Sequence, residues 1–277
     1  MDRTFYTTIG DIKSGVCNIK NGVPQGSVLG PLLFSLFIND LPNALAYCGS
    51  IIYADDTTLY NKNAMQQNLI AEMQHDFNTI QMWFKSNYLK INEAKTKFVI
   101  FGTPGKLRQI DASTCNMRIN NNIIQRTKEV TYLGVIVDES LTWTSHVKYV
   151  AKKMSCAMGR LSSVKYLVPF KIKKMIYSAL VFPNLEYCCL TWSATSEANL
   201  SMLQKTLNRC CRTVLNIKDI RTNTVQLYKR LNWLPVKQLF TFNLGKEMFR
   251  CLNGLNKYPI VFPPSHSDTH FYPTRHS

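Results

Sequence analysis

Gly22-Val-Pro-Gln-Gly-Ser-Val-Leu-Gly-Pro31 sets three glycines, two prolines and a glutamine within ten residues. Glycine gives up more backbone freedom on folding than any other residue, so such a run is costly unless the backbone must approach something closely. The stretch reads as a turn-rich loop. It runs straight into residues 32–41, expected to be a buried apolar helix with Pro31 in its first turn. Just before it, residues 16–20 predict a strand. Further on, residues 51–53 and 57–60 are short β-type runs on either side of Asp55 and Asp56, which predicts a hairpin with an acidic tip. Adjacent carboxylates repel unless something positive is near. Water suffices at an exposed turn, and a hard cation such as Mg²⁺ takes carboxylate oxygens better.

The clearest helical period lies at residues 65–84. Met65, Leu69, Met73, Phe77, Ile80 and Phe84 recur every three or four positions among polar neighbours. Residues 97–101 read as a strand closed by Gly102-Thr-Pro-Gly105. Residues 129–137 read as another apolar strand, hairpin-paired with 117–124 through Asn120-Asn121-Asn122. From about residue 144 the period turns helical, with Val147, Val150, Ala151, Met154, Met158 and Leu161 on one face and Lys148, Lys152, Lys153 and Arg160 off it. Further helices are expected at 170–182, 196–215, 222–231 and 235–252, and the Pro/His/Ser-rich tail after Asn253 reads as loose. The fold class this predicts is α+β: short antiparallel strands plus helices up to about residue 140, then an all-helical part. The change of period falls at 138–144.

Net charge is +16, and it is unevenly spread. Residues 1–150 hold 14 Lys+Arg against 12 Asp+Glu, and residues 151–277 hold 19 against 5. A basic surface attracts polyanions, which means nucleic acid or an anionic membrane. There is no 18-residue apolar run, no lipidation signal and no apolar core behind the N-terminal residues, so nucleic acid is the favoured partner. An intracellular protein of the cytoplasm or nucleus is expected, neither secreted nor membrane-bound. Nine cysteines lie scattered without a C-x-x-C, which argues against zinc and for buried, reduced thiols.

Four stretches, in order, resemble the polymerase motifs of non-LTR retrotransposon reverse transcriptases, most closely those of jockey-type elements. Residues 22–34, continuing to Ile38-Asn-Asp-Leu-Pro42, resemble motif B. Tyr53-Ala-Asp-Asp56 resembles motif C. Leu89-Lys-Ile-Asn-Glu-Ala-Lys-Thr96, followed by residues 98–102, resembles motif D, and Val130-Thr-Tyr-Leu-Gly-Val135 resembles motif E. Leu231-Asn-Trp-Leu-Pro235 also looks like this group.

The resemblance implies an RNA-directed DNA polymerase, a nucleotidyltransferase acting on an RNA template, a DNA primer and deoxynucleoside triphosphates. Asp55 would bind the catalytic Mg²⁺ (Mn²⁺ being the other metal to consider) and Asp56 would assist. Gly22, Pro24, Gln25 and Gly26, with Tyr53, would lie against nucleotide and template, Gln25 supplying the polar contact. Lys95 would neutralise or protonate the leaving pyrophosphate, although a solvated surface lysine is an equal reading of it. Tyr132, Leu133 and Gly134 would form the primer grip. Residues 1–140 would be a partial palm, 141–220 a helical thumb holding the duplex through phosphate contacts, and 221–277 a C-terminal helical extension.

The family's third carboxylate, carried by motif A, has no match. Asp2 and Asp11 are the acids before Gly22, and neither lies in an apolar strand. The finger motifs, an endonuclease and an RNase H are likewise unmatched. Two carboxylates place Mg²⁺ poorly, so these 277 residues alone are expected to be inactive or nearly so, with an unpaired sheet edge beside the Asp55 hairpin. The alternative is a non-catalytic nucleic-acid-binding remnant of a retroelement.

Overall fold

The computed structural model describes residues 3–19, 22–23, 26–110, 115–120, 122–124, 126–162 and 166–256. The chain forms two compact units, Met1–Lys128 and Glu129–Ser277.

In the first unit, β1 (Arg3–Phe5) pairs antiparallel with β4 (Cys17–Ile19), and β2 (Thr8–Ile9) with β3 (Ile12–Lys13). Helix α1 spans Gly30–Ile38 with Pro31 in its first turn, where a missing N–H costs nothing. A 3₁₀ turn, Leu41–Ala44, leads to β5 (Gly49–Tyr53) and its antiparallel partner β6 (Asp56–Tyr60). Then come α2 (Gln66–Ser86), the short α3 (Pro104–Arg108) capped by the Thr103 side chain, and the pair β7 (Met117–Ile119) and β8 (Asn122–Ile124).

Helix α2 is the organiser of this unit, as its apolar period predicts. Phe77 packs with Met117, Ile119 and Ile124 of the β7–β8 pair. Ile80, one turn on, packs with Ile38 and Leu41, and Ile52 and Leu59 of the β5–β6 hairpin join that cluster. The acidic hairpin is therefore held through one apolar face resting on α2.

Three expectations are corrected here. Helix α1 is not buried: Leu32, Leu33, Leu36 and Phe37 are exposed, because α1 meets the α2 cluster only through Ile38, partly buried Phe34 and the edge of Phe37 against Trp83. Residues 97–101 form no strand. Phe98 makes an isolated bridge to Arg126, and Gly102-Thr-Pro-Gly105 opens α3 rather than closing a strand. Residues 117–124 and 129–137 do not pair with each other. Each folds back on itself, the first through Asn120 (φ 51°) and the second through Leu133 and Gly134 (φ 44° and 82°), since positive φ at these positions reverses the chain within two residues. Among the described residues the strands form only two-stranded sheets, so the edges of β5 and β6 are open.

The second unit begins with the β9 (Glu129–Tyr132) and β10 (Val135–Asp138) hairpin. It continues through α4 (Thr144–Ser162), α5 (Phe170–Glu186), α6 (Cys189–Trp192), α7 (Glu197–Leu215), α8 (Thr224–Leu231) and α9 (Val236–Leu252). One apolar core joins them. Val147, Val150, Ala151, Met154 and Met158, the stripe read from the sequence, face Tyr177, Val181, Leu203 and Leu207. The division at Lys128/Glu129 lies before the change of period at 138–144, because Val135 and Val137 pack into the helical core.

Leu231-Asn-Trp-Leu-Pro235 is a helix break. Asn232 ends α8 in the left-handed region, Trp233 is buried, and Pro235 starts α9. The cysteines are all free. Cys115, Cys189, Cys210 and Cys211 are buried, whereas Cys17, Cys156 and Cys188 are exposed, which corrects the expectation of uniformly buried thiols. Burial pushes Cys210 and Cys211 up to about 12, so they act as small apolar groups rather than nucleophiles.

Candidate active-site hairpin and basic helical face

Tyr53 stands opposite Asp56 across β5–β6, which leaves Ala54 and Asp55 as the turn. Ala54 has φ 52°, a region that glycine or asparagine adopts far more readily than alanine. A strained two-residue turn pushes Asp55 out at the tip with Asp56 directly behind it, and both carboxylates and Tyr53 are exposed. At the other end of the hairpin the exposed Tyr60 ring lies over Gly49, where an added Cβ would force the ring to swing away.

What fixes the start of β5 is Asp76, which the sequence reading placed among polar fillers of α2. It sits three residues after Met73 and four before Ile80, on the apolar stripe itself, and is fully buried. Its carboxylate accepts the backbone N–H groups of Ala46 (3.1 Å), Tyr47 (2.8 Å) and Cys48 (2.7 Å) and contacts His75 Nδ1 at 3.1 Å. Burial pushes its pKa up, but the amide and histidine hydrogen bonds outweigh that and lower it to about 2. An acid on an apolar helical stripe was the signal that could have found it.

Of the glycine-rich loop, Pro24 and Gln25 lie outside the described residues. Gly22 and Gly26 have φ 87° and 80°, and Arg3 donates to the Gly22 carbonyl at 2.8 Å. A Cβ on Gly30 would stand 2.8 Å from Ser27 Oγ, so the loop closes against its own glycine where α1 begins. Lys95 rides an exposed turn whose amides are held by Asn92. Its neighbour Glu93 accepts from Asn120 (2.8 Å) and Asn122 (2.7 Å), and those bonds lower the Glu93 pKa. The β7–β8 turn thus anchors the Lys95 segment.

In the second unit, Tyr132, Leu133 and Gly134 lie at the β9–β10 turn. The hairpin is tied to α4 by Ile136 N–H, which donates to His146 Nδ1 at 3.2 Å. His146 is almost fully buried, and burial, then Lys153, lowers its pKa. The bond needs a neutral ring with its proton on Nε2. Because the folded-state pKa lies below the unfolded one, this contribution is complete above about pH 6.5 and is lost as pH falls toward the folded pKa. The melting temperature is expected to drop between about pH 7.5 and 5.5, and to drop less in a His146→Gln variant. Parallel pH profiles of the two proteins would show that His146 is not the cause.

The α4–α5 surface carries a groove of about 440 Å³ lined by Tyr149, Lys152, Lys153, Arg160, Leu180 and Asn184, with no acid in its lining. Lys153 Nζ stands 4.6 Å over the Tyr149 ring. Not every cation of this unit is on offer. Lys173 is buried and donates to Asn216 Oδ1 at 2.9 Å, beside the C-terminal end of α7, where a positive charge suits the helix dipole.

Carboxylate oxygens suit a hard divalent cation, and the donors the hairpin tip offers are those of Asp55 and Asp56, both exposed. Among the described residues no group of three His, Cys, Asp or Glu gathers to hold a metal ion. No described helix is long and apolar enough to cross a membrane.

Residues 2–137 match the family model of the reverse transcriptase (RNA-dependent DNA polymerase). The chain is 28% identical over 247 residues to a probable RNA-directed DNA polymerase from transposon BS of Drosophila melanogaster, covering 86% of this chain and 27% of that protein. It is 30% identical over 212 residues to the RNA-directed DNA polymerase from mobile element jockey of Drosophila funebris, covering 73% and 22%. It is 26% identical over 240 residues to a Pol polyprotein from the type-1 retrotransposable element R1 of Bradysia coprophila, covering 80% and 23%. The chain thus spans about a quarter of the length of each of these three relatives. No solved structure matches it.

Proposed function

From a chain that belongs to the reverse transcriptase family of non-LTR retrotransposons, we infer a segment of an RNA-directed DNA polymerase that works inside the cell as part of a longer protein. The observation that carries this reading is the strained β5–β6 turn, which holds Asp55 and Asp56 together and exposed while the rest of the hairpin rests on α2. Residues 1–140 are the partial palm, 141–220 the thumb and 221–277 a C-terminal helical extension.

Asp55 is the metal ligand and Asp56 its support. Bound Mg²⁺ would supply charge stabilisation at the phosphoryl group being transferred. Gly22, Pro24, Gln25 and Gly26, with Tyr53, border the nucleotide and template. Lys95, on its anchored turn, neutralises the departing pyrophosphate. Tyr132, Leu133 and Gly134 position the primer, and the α4–α5 groove takes the phosphates of the duplex.

The test is Mg²⁺-dependent primer extension on an RNA template by a reading frame containing residues 1–277, beside its Asp55→Asn variant. Extension is expected to vanish in the variant while primer–template binding stays within about twofold, because the amide keeps the shape and removes the charge. Extension retained by Asp55→Asn would place the chemistry elsewhere and overturn the reading.

A further inference from the structure

We propose that Tyr187 is a positioning residue for the primer end, acting by holding the tip of the β9–β10 hairpin. The inference rests on the reading of Tyr132–Gly134 as the primer-binding turn. A two-stranded hairpin of four residue pairs is marginal by itself. Its turn places Leu133 at φ 44°, a conformation that a branched aliphatic residue keeps only when its surroundings enforce it.

The enforcing group comes from 54 residues downstream. The Tyr187 hydroxyl donates to the Leu133 carbonyl at 2.6 Å. Its ring lies along Gly134, where an added Cβ would stand 3.5 Å from it, in ordinary contact. Tyr187 is itself held at both backbone ends. Its N–H donates to the Pro183 carbonyl at 3.1 Å, and its own carbonyl accepts the Trp192 indole N–H at 2.9 Å.

Trp192 is fully buried and stands edge-on to His146, with ring centroids 5.1 Å apart. His146 in turn accepts the Ile136 N–H. The hairpin is therefore gripped on both sides of its turn, at Leu133 by Tyr187 and at Ile136 by His146, and both grips are backed by the same indole. The Tyr187 ring is half exposed, so this brace lies at the surface where the turn would meet a ligand, rather than in the core.

The experiment compares the 277-residue chain with Tyr187→Phe, which loses only the hydroxyl. Amide exchange is followed over residues 133–136 and, as a check on folding, over α7. A primer–template with 2-aminopurine at the primer 3′ end reports where that end sits. The variant is expected to exchange about fivefold faster at 133–136, as loss of one typical hydrogen bond predicts, with α7 unchanged. Primer–template affinity is expected to hold within about twofold, since phosphate contacts dominate it. The 2-aminopurine signal is expected to revert toward that of free DNA.

Unchanged exchange at 133–136 would overturn the proposal, because the hydroxyl would then not be holding the turn. Faster exchange with an unaltered 2-aminopurine signal would also overturn it, by making the brace purely structural. If the unsubstituted chain fails to bind, or binds without altering the 3′-end signal, the reading of Tyr132–Gly134 is what fails.

Discussion

Asp76→Ala is expected to destabilise the first unit by about 3–5 kcal/mol, more than a hundredfold in its folding equilibrium. The aspartate is fully buried and is the acceptor for three consecutive amides, those of Ala46, Tyr47 and Cys48. Removing it leaves three amides without their acceptor, and a hydrogen bond to a charged group is worth about 1.5–3 kcal/mol, less at exposed Ala46 and Tyr47, where water can replace it. Asp76→Asn is expected to cost less, because one amide oxygen can still accept. Protonation should reproduce part of the effect. The folded-state pKa is about 2 against an ordinary 3.8, so the stabilisation is present above the ordinary value and is lost as pH falls through the folded one. By linkage that is about 2 kcal/mol. Chemical denaturation of the wild type and both variants, at neutral pH and near pH 3, checks both parts. An Asp76→Ala protein as stable as the wild type would show that the 46–48 segment does not depend on this carboxylate. Because that segment leads into β5, the variant should also loosen the hairpin that carries Asp55.

Primer–template affinity is expected to fall about a thousandfold between 50 and 200 mM salt. This rests on about five to six phosphate contacts, at a log–log slope of about 0.9 per phosphate. Lys148, Lys152, Lys153 and Arg160 are exposed along α4, and exposed Lys171 and half-buried Lys174 lie on α5, where they line a separate groove that also holds Glu186. Those are the cations that can exchange counterions for phosphates, whereas buried Lys173 cannot. Replacing Lys152 and Lys153 by Gln should lower the slope by about two and weaken binding to every sequence alike, since phosphate contacts position a duplex without reading it. Fluorescence anisotropy titrations across that salt range give the slope directly. A flat response would mean that the basic helices do not hold nucleic acid through its phosphates.

The helical unit was largely legible in its residues. An amphipathic helix buries its own stripe, so Val147, Val150, Ala151, Met154 and Met158 disclosed α4 without reference to anything distant. The same holds for α2, and for the acidic hairpin, whose turn lies between two short β-type runs. Motif order disclosed the family, whose model matches residues 2–137.

Pairing was not legible. Residues 117–124 and 129–137 looked like partners, yet each closes on itself. Strand alternation states which face is apolar but not which neighbour will meet it, and local turns at Asn120 and Leu133 decided that. Asp76 and Tyr187 were hidden for a related reason. A carboxylate becomes an anchor only when the fold brings three amides to it, and a tyrosine becomes a brace only when a carbonyl 54 residues away arrives within hydrogen-bonding distance. By itself the sequence determined the local periods, the excess of positive charge in the second half and the adjacent carboxylates, all properties of neighbouring residues. The tertiary structure alone decided which strands pair, how exposed α1 remains and which polar groups are held, because those depend on contacts between residues far apart in the chain.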